Sequence, residues 1–382
     1  MKQLCLFIGL LLFMPTLSAA QEPIELFGYF ETQVMGNSVD SRFDQLMTNK
    51  LRLDLSSRIS DQVTFAANVN TTRYHGKTQW PILDYLPDQI ADTVPAEQQL
   101  FYILPFQDRT ILDNAYVKLA FDRFDLTAGK QQISLGTGWV WNPLDVFNIK
   151  DILDPSYEQP GHNGIRLDVP MGLNGTVTGL YAPEDSWNHS AKLLQVKWRL
   201  TGFDVALTGI EKQWIWHDYT QFDMNRGSFE RIPDHRQLLG ASTAGQVLGL
   251  GIWTEYAYNW MRDTQDFYEW VAGFNYTFDF QTYVMAEFYR NTLGRSDTKY
   301  TLNDWMWFIA AEQKSITRDQ VYLMIQHPVS DLIDMGISMV TSLSDQSTAF
   351  IPTLTWSVFQ NVELFAYVNY NIGESNTVFS TD

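Results

Sequence analysis

Six histidines, His75, His162, His189, His217, His235 and His327, are the side chains best suited to act as general bases near neutral pH. Hydrolysis at such a base needs a serine or water nucleophile and a carboxylate within hydrogen-bond reach. His217-Asp218 and Asp234-His235, within one stretch, come nearest to that requirement. Adjacent residues do not face each other on a strand, however, and neither Gly-x-Ser-x-Gly nor His-Glu-x-x-His occurs. The sequence therefore predicts no catalytic residues and no enzyme. Asp145, Asp151 and Asp154 carry oxygens suited to calcium, but their spacing is not that of a defined calcium loop. Capping and solvation are their expected roles, and no metal or other cofactor is implied.

A second chemistry is electrostatic. Arg52, Lys118, Lys130, Arg166, Lys197 and Arg199 all precede Thr201, interspersed with Asp54 and Asp168. After Thr201 the alternating polar rows carry acids alone, namely Asp204, Glu255, Glu269, Glu287, Asp334 and Glu363. If both sets line one aqueous path, a basic arc faces an acidic one and the path carries a transverse field. Leu126 and Ala128 share the parity of Lys130, which makes its facing the weakest of the basic set.

What must position these charges is a set of strands. Leu51/Leu53/Leu55, Val63/Phe65/Ala67/Val69, Ala115/Val117/Leu119, Leu194/Val196/Trp198, Val284/Ala286/Phe288, Val321/Leu323/Ile325 and Val362/Leu364/Ala366 each repeat with period two, the mark of a strand with one apolar face. Short links such as Ile59 to Gln62, Leu200 to Phe203 and Phe359 to Val362 take turns with long ones, at Tyr74 to Thr110, Leu135 to Gly161, Trp214 to Asp234 and Asn291 to Arg318. Tight turns on one side and long loops on the other are the asymmetry of an all-β transmembrane antiparallel barrel in the outer membrane of a Gram-negative cell, here of about 16 to 18 strands. About 17 strands can be placed from the pattern, whereas a single-chain bacterial barrel has an even number.

Export fits this reading. Lys2, the apolar run from Leu4 to Met14, and Ser18 and Ala20 read as a signal peptide over residues 1–20, with Gln21 opening a single barrel domain, 21–382. The single cysteine, Cys5, falls inside that segment. Beyond residue 20 no apolar run reaches the roughly 18 residues of a membrane-crossing helix. Aromatic residues make up 14% and charged residues 18% of the chain, which excludes disorder. A formal charge of -18 argues against a nucleic-acid partner, which needs a basic face.

The stretch from Gly129 to Asp168 is the most distinctive. It contains Gly-Lys-Gln-Gln-Ile-Ser-Leu-Gly-Thr-Gly at 129–138, then Trp141-Asn142-Pro143-Leu144-Asp145-Val146-Phe147-Asn148, Asp154-Pro155, Pro160-Gly161 and Gly164-Ile165-Arg166-Leu167. It resembles the porin-like outer-membrane barrels related to the alginate-export family, which show a Gly-Arg-Gln strand ending in Trp-Gly before a Trp-Asn-Pro loop. Lys130 stands here for the arginine and Leu135 for the tryptophan. The resemblance covers this loop region, implies an outer-membrane channel, and names no solute.

The same loop can be read physically. Asn142 and Pro143 are suited to the cap and first position of a short helix, with Asp145 in its first turn. Trp139, Trp141, Phe147 and their apolar neighbours are too hydrophobic for a solvated loop, so residues 135–161 are expected to fold into the barrel mouth as a constriction or plug, with Asp151 and Asp154 in it. The function expected is passive diffusion of small polar or charged solutes. The expected partners are outer-membrane lipid, lipopolysaccharide and the solute itself. A closed structural or adhesin-type barrel is the alternative, ahead of an outer-membrane hydrolase.

Overall fold

The computed structural model describes residues 24–39, 42–150, 153 and 158–380. The expected signal peptide and Gln21 lie outside them. The chain forms β1 (Glu25–Val39), β2 (Arg42–Ser60), β3 (Val63–Gly76), a short hairpin of β4 (Gln79–Pro81) and β5 (Ile103–Pro105), β6 (Arg109–Ala120), β7 (Asp125–Gln132), β8 (Gly161–Met171), β9 (Gly175–Ala182) and β10 (Ala191–Leu200). It continues through β11 (Phe203–Asp223), β12 (Ser228–Val247), β13 (Leu250–Met261), β14 (Phe267–Thr277), β15 (Tyr283–Asn291), β16 (Asp319–Ser330), β17 (Ile333–Ser342), β18 (Thr348–Phe359), β19 (Val362–Tyr367) and β20 (Tyr370–Ile372). The helices α1 (Asp88–Ala91) and α2 (Leu302–Ile309) belong to the loops.

Apart from β4 and β5, all strands join one antiparallel sheet of 18 strands in sequence order. Because β19 and β20 both lie along β18, the meander makes 17 passes, as the alternating pattern suggested. Among the described residues no pairing joins β1 to β19 or β20.

Period two fixes which face each residue takes. Leu194, Leu207, Leu323, Ile325 and Ile337 are exposed on the outer face, while Thr208, Ser242, Glu255 and Val340, of opposite parity, are buried inside. Two short links are two-residue turns with both residues at positive φ, Thr201-Gly202 and Leu248-Gly249, the geometry that matches the twist of a hairpin. One expected loop is instead a ladder. Between Trp214 and Asp234 the strands β11 and β12 stay paired, with Trp216 opposite Ile232 and a register shift only between Asp218 and Phe222. Aromatic and β-branched cross-strand partners sustain pairing where the strict alternation fades.

The facing assignment has a direct consequence. Leu323→Arg places a cation on the lipid face and is expected to cost about 2 to 4 kcal/mol near the bilayer centre, impairing insertion. Gln326→Arg, on the inward parity of the same strand, is expected to be milder. Equal loss of heat-modifiable folded protein in gels from both variants contradicts the assignment.

Candidate functional site

After Gln132 the chain leaves the sheet and enters the barrel. Ile133, Leu135, Leu144 and Val146 pack against the inward residues Leu180, Leu193, Ile210, Leu238 and Ala257 of β9 to β13. This burial is why the sequence tolerates so apolar a loop. Gly136 sits at φ +84°, and a Cβ there would come within 2.4 Å of a Glu255 oxygen. A side chain at Gly138 would meet the Trp141 carbonyl oxygen at 1.9 Å. The Gly-Thr-Gly run is thus what lets backbone approach carboxylate.

Two glutamates hold the loop. Glu255 accepts hydrogen bonds from the backbone N–H of Thr137 at 2.7 Å and from that of Leu144. Glu287 accepts from the N–H groups of Trp139, Val140 and Trp141 at 2.7, 2.9 and 2.9 Å, and from the Trp253 indole at 2.7 Å. Both carboxylates are buried, each 1% exposed. Lys150 adds a hydrogen bond to the Trp139 carbonyl at 2.7 Å, and Lys212 one to that of Val146 at 3.2 Å. Trp141, itself buried, stacks on Tyr289 with centroids 5.0 Å apart.

The short helix expected at Asn142 does not form. Residues 142–145 make one turn, closed by the Asp145 N–H on the Asn142 carbonyl at 3.1 Å. The Asp145 carboxylate is instead taken by the N–H groups of Phe147 and Asn148, at 2.9 and 3.0 Å, and by the Asn148 amide. Those local bonds compete with helix. Trp139 is the exposed tip of the loop, Pro143 is buried and Phe147 half-buried. Asp151 and Asp154 lie outside the described residues.

Glu269 differs from the other two lumenal glutamates. It pairs with Arg236 at 3.2 Å and Lys314 at 3.1 Å, and accepts from the Tyr289 hydroxyl at 2.6 Å. Lys314 also donates to the carbonyls of Asn142 and Pro143 at 2.7 and 3.3 Å, tying the loop 292–318 to the loop 133–150. Arg236 and Lys314 are absent from the residues read as lumenal in the sequence. Arg236 follows Asp234-His235 in a stretch without clean alternation, and Lys314 sits in a loop, where no periodicity marks it.

Other loop residues complete the filling. Leu83, Ile90 and Tyr102 from the β3–β6 connection, Trp305 and Met306 from α2, and Phe379 from the final segment pack on the inward residues Val271, Tyr289, Val340 and Ala349. Asp345 ties several of these parts together, accepting from the Tyr300 hydroxyl at 2.7 Å and the Val378 N–H at 2.8 Å. Burial and that hydrogen bond hold the Tyr300 hydroxyl well above the ordinary tyrosine range, so it remains a donor.

The basic arc faces a separate space near the short turns. Arg52 pairs with Asp54 at 2.9 Å, Arg166 with Asp168 at 2.8 Å, Lys118 with Asp125 at 2.7 Å and Arg199 with Asp204 at 3.5 Å. Lys197 stands opposite Ala206 on the inward row, and Asp334 and Glu363 take the inward parity of β17 and β19. Lys130 does not join them. It lies opposite Ala115, on the row of Leu126 and Ala128, and donates to the Leu112 carbonyl at 2.8 Å. Parity, not charge, decided its face. The expected transverse field also needs correction, because Glu255, Glu269 and Glu287 are sealed under the loop and do not face the basic arc across water.

The histidines near carboxylates are held in structural contacts. His217 Nδ1 lies 2.7 Å from Glu312, which also accepts from the Tyr219 hydroxyl at 2.6 Å. His235 lies 3.1 Å from Glu211, and Asp234 accepts from the N–H groups of His235, Arg262, Asp263 and Thr264.

No protein-family model matches the sequence, and no curated protein does. Among solved structures, the chain is similar to OmpT in its trimer form, an outer membrane protein of Vibrio cholerae, at 11% identity over 91% of this chain and 96% of that one, with a TM-score of 0.48. It is similar to a triple-mutant porin of Rhodopseudomonas blastica at 11% identity, covering 86% and 98%, with a TM-score of 0.43. OmpF of Salmonella typhi in complex with daunomycin gives 10% identity, 83% and 89% coverage and a TM-score of 0.44. These overlaps are weak. The chain's own geometry, with outward apolar rows, inward polar rows and short turns opposite long loops, is that of a porin-like outer-membrane β-barrel.

Proposed function

We propose that the protein is an outer-membrane channel for passive diffusion of small polar solutes, narrowed by its inward loop. The observation that carries this is the mode of attachment of the loop. Five backbone N–H groups rest on two side-chain carboxylates of the wall. Between its ends the loop is joined to the wall by side-chain contacts and not by a sheet ladder. On the other side of it lies a cavity of about 500 Å³ lined mainly by polar side chains. The resemblance of the 129–168 stretch to barrels related to the alginate-export family supports the same class and leaves the solute open.

A second reading has its own observation. The apolar cluster built from four separate segments fills the barrel interior on the long-loop side, as a closed structural barrel would require. Recording from purified protein in planar bilayers separates the two, because a channel conducts and a closed barrel inserts silently. No reaction is assigned to the chain.

A further inference from the structure

We propose that the cavity on the short-turn side of the loop binds an uncharged, polyhydroxylated solute such as a sugar. This deepens the channel reading, since it names a solute class for the same lumen, but the binding itself does not require passage.

The cavity, about 500 Å³, lies against β1, β2, β3, β6, β7 and β8. That volume is within the range of small-ligand sites, roughly 300 to 1,000 Å³. The charges that line it are paired. Arg52 engages Asp54 through Nε and Nη2 at 2.9 Å each, and Arg166 engages Asp168 at 2.8 Å. Lys118 is matched by Asp125 at 2.7 Å. Of the next charges, Glu158 is held by Lys50 at 2.6 Å and lies 3.5 Å from Arg52, and Lys197 stands beside Arg166 and Asp168. An anion entering beside Arg52 or Arg166 has to displace a carboxylate from its arginine, and a cation has to displace an arginine from its carboxylate.

What the wall leaves open is hydrogen-bonding capacity of both kinds. Asn114 lines the cavity and is 7% exposed; its Oδ1 is enclosed beside Gly161, which leaves its side-chain N–H groups as what it offers. Its backbone N–H is spent on Asn68 Oδ1 at 2.7 Å. A carboxylate retains lone pairs beyond those its arginine uses, and a guanidinium retains N–H groups. A hydroxyl donates and accepts through one atom, so it serves the Asn114 amide, the aspartates and the arginines without disturbing an ion pair. Phe27 and Tyr116 supply apolar surface for the C–H face of such a solute.

The test uses the purified full chain in detergent, with saturation-transfer NMR reading sucrose, gluconate and choline as neutral, anionic and cationic probes. Sucrose is expected to give signal and the two ions little. Asn114→Leu is expected to weaken sucrose several-fold. The pair Asp54→Asn with Asp168→Asn frees both arginines and is expected to shift preference to gluconate. Because these variants can perturb folding, heat-modifiability in gels is read alongside, and Asp54→Asn alone is expected to move the preference part of the way. Gluconate or choline equal to sucrose on the unaltered protein overturns the proposal, as does sucrose signal that none of the folded variants changes. Sucrose binding to a barrel that carries no current removes the channel and keeps the site. Current without sucrose binding keeps the channel and removes the site.

Discussion

Replacing Glu255 and Glu287 together by glutamine is expected to raise single-channel conductance several-fold while the barrel still inserts. Glutamine keeps the shape of glutamate but turns one oxygen into an NH₂ donor. At Glu287 each oxygen accepts two N–H groups, so either orientation of the amide sets donors against donors. At Glu255 the two oxygens serve Thr137 and Leu144 separately, with the same result. Hydrogen bonds to charged groups contribute about 1.5 to 3 kcal/mol each. Loss of even one per glutamate is enough to shift the balance of seated and displaced loop by more than about tenfold at 1.4 kcal/mol per decade. Glu255→Asp, which keeps charge but shortens reach, is expected to be intermediate. Unchanged current from the double glutamine variant, with normal insertion, means that these carboxylates do not hold the loop.

Glu269→Leu is expected to be the most destabilising single change in the lumen. It leaves Arg236 and Lys314, 3% and 8% exposed, without their shared counter-ion. Removing one partner of a buried ion pair costs about 3 to 5 kcal/mol, because the remaining charge stays buried. The variant should lose heat resistance in detergent gels. Lys314→Met made alongside is expected to restore part of it, since one orphaned cation is then removed. If Glu269→Leu is as heat-resistant as the unaltered protein, the triad is not desolvated as described.

The strands and most lumenal charges were legible because a period of two ties a residue's face to its neighbours. Glu255 alternates with Tyr256 and Glu287 with Phe288, and the carboxylates fall inward as their aromatic neighbours fall outward. The inward loop was legible for a different reason, since Trp141, Leu144 and Val146 have no place in solvent. What holds it was not. Thr137 and Glu255 are 118 positions apart, and a backbone N–H leaves no mark in a sequence. The helix expected at Asn142 failed because Asp145 serves Phe147 and Asn148 instead. Lys130 shows the rule from the other side, for a charge was read as lumenal against the parity of Leu126 and Ala128, and parity held.

Single-channel recording in planar bilayers, made on the unaltered protein and on a variant with Thr137–Leu144 replaced by a short glycine-serine link, tests the central claim most directly. Those residues carry all five backbone donors to Glu255 and Glu287. A loop-narrowed channel predicts small steps from the unaltered protein and much larger ones from the variant, both as discrete insertions. Inserted, heat-modifiable barrels of both proteins that carry no current contradict the account and leave a closed structural barrel.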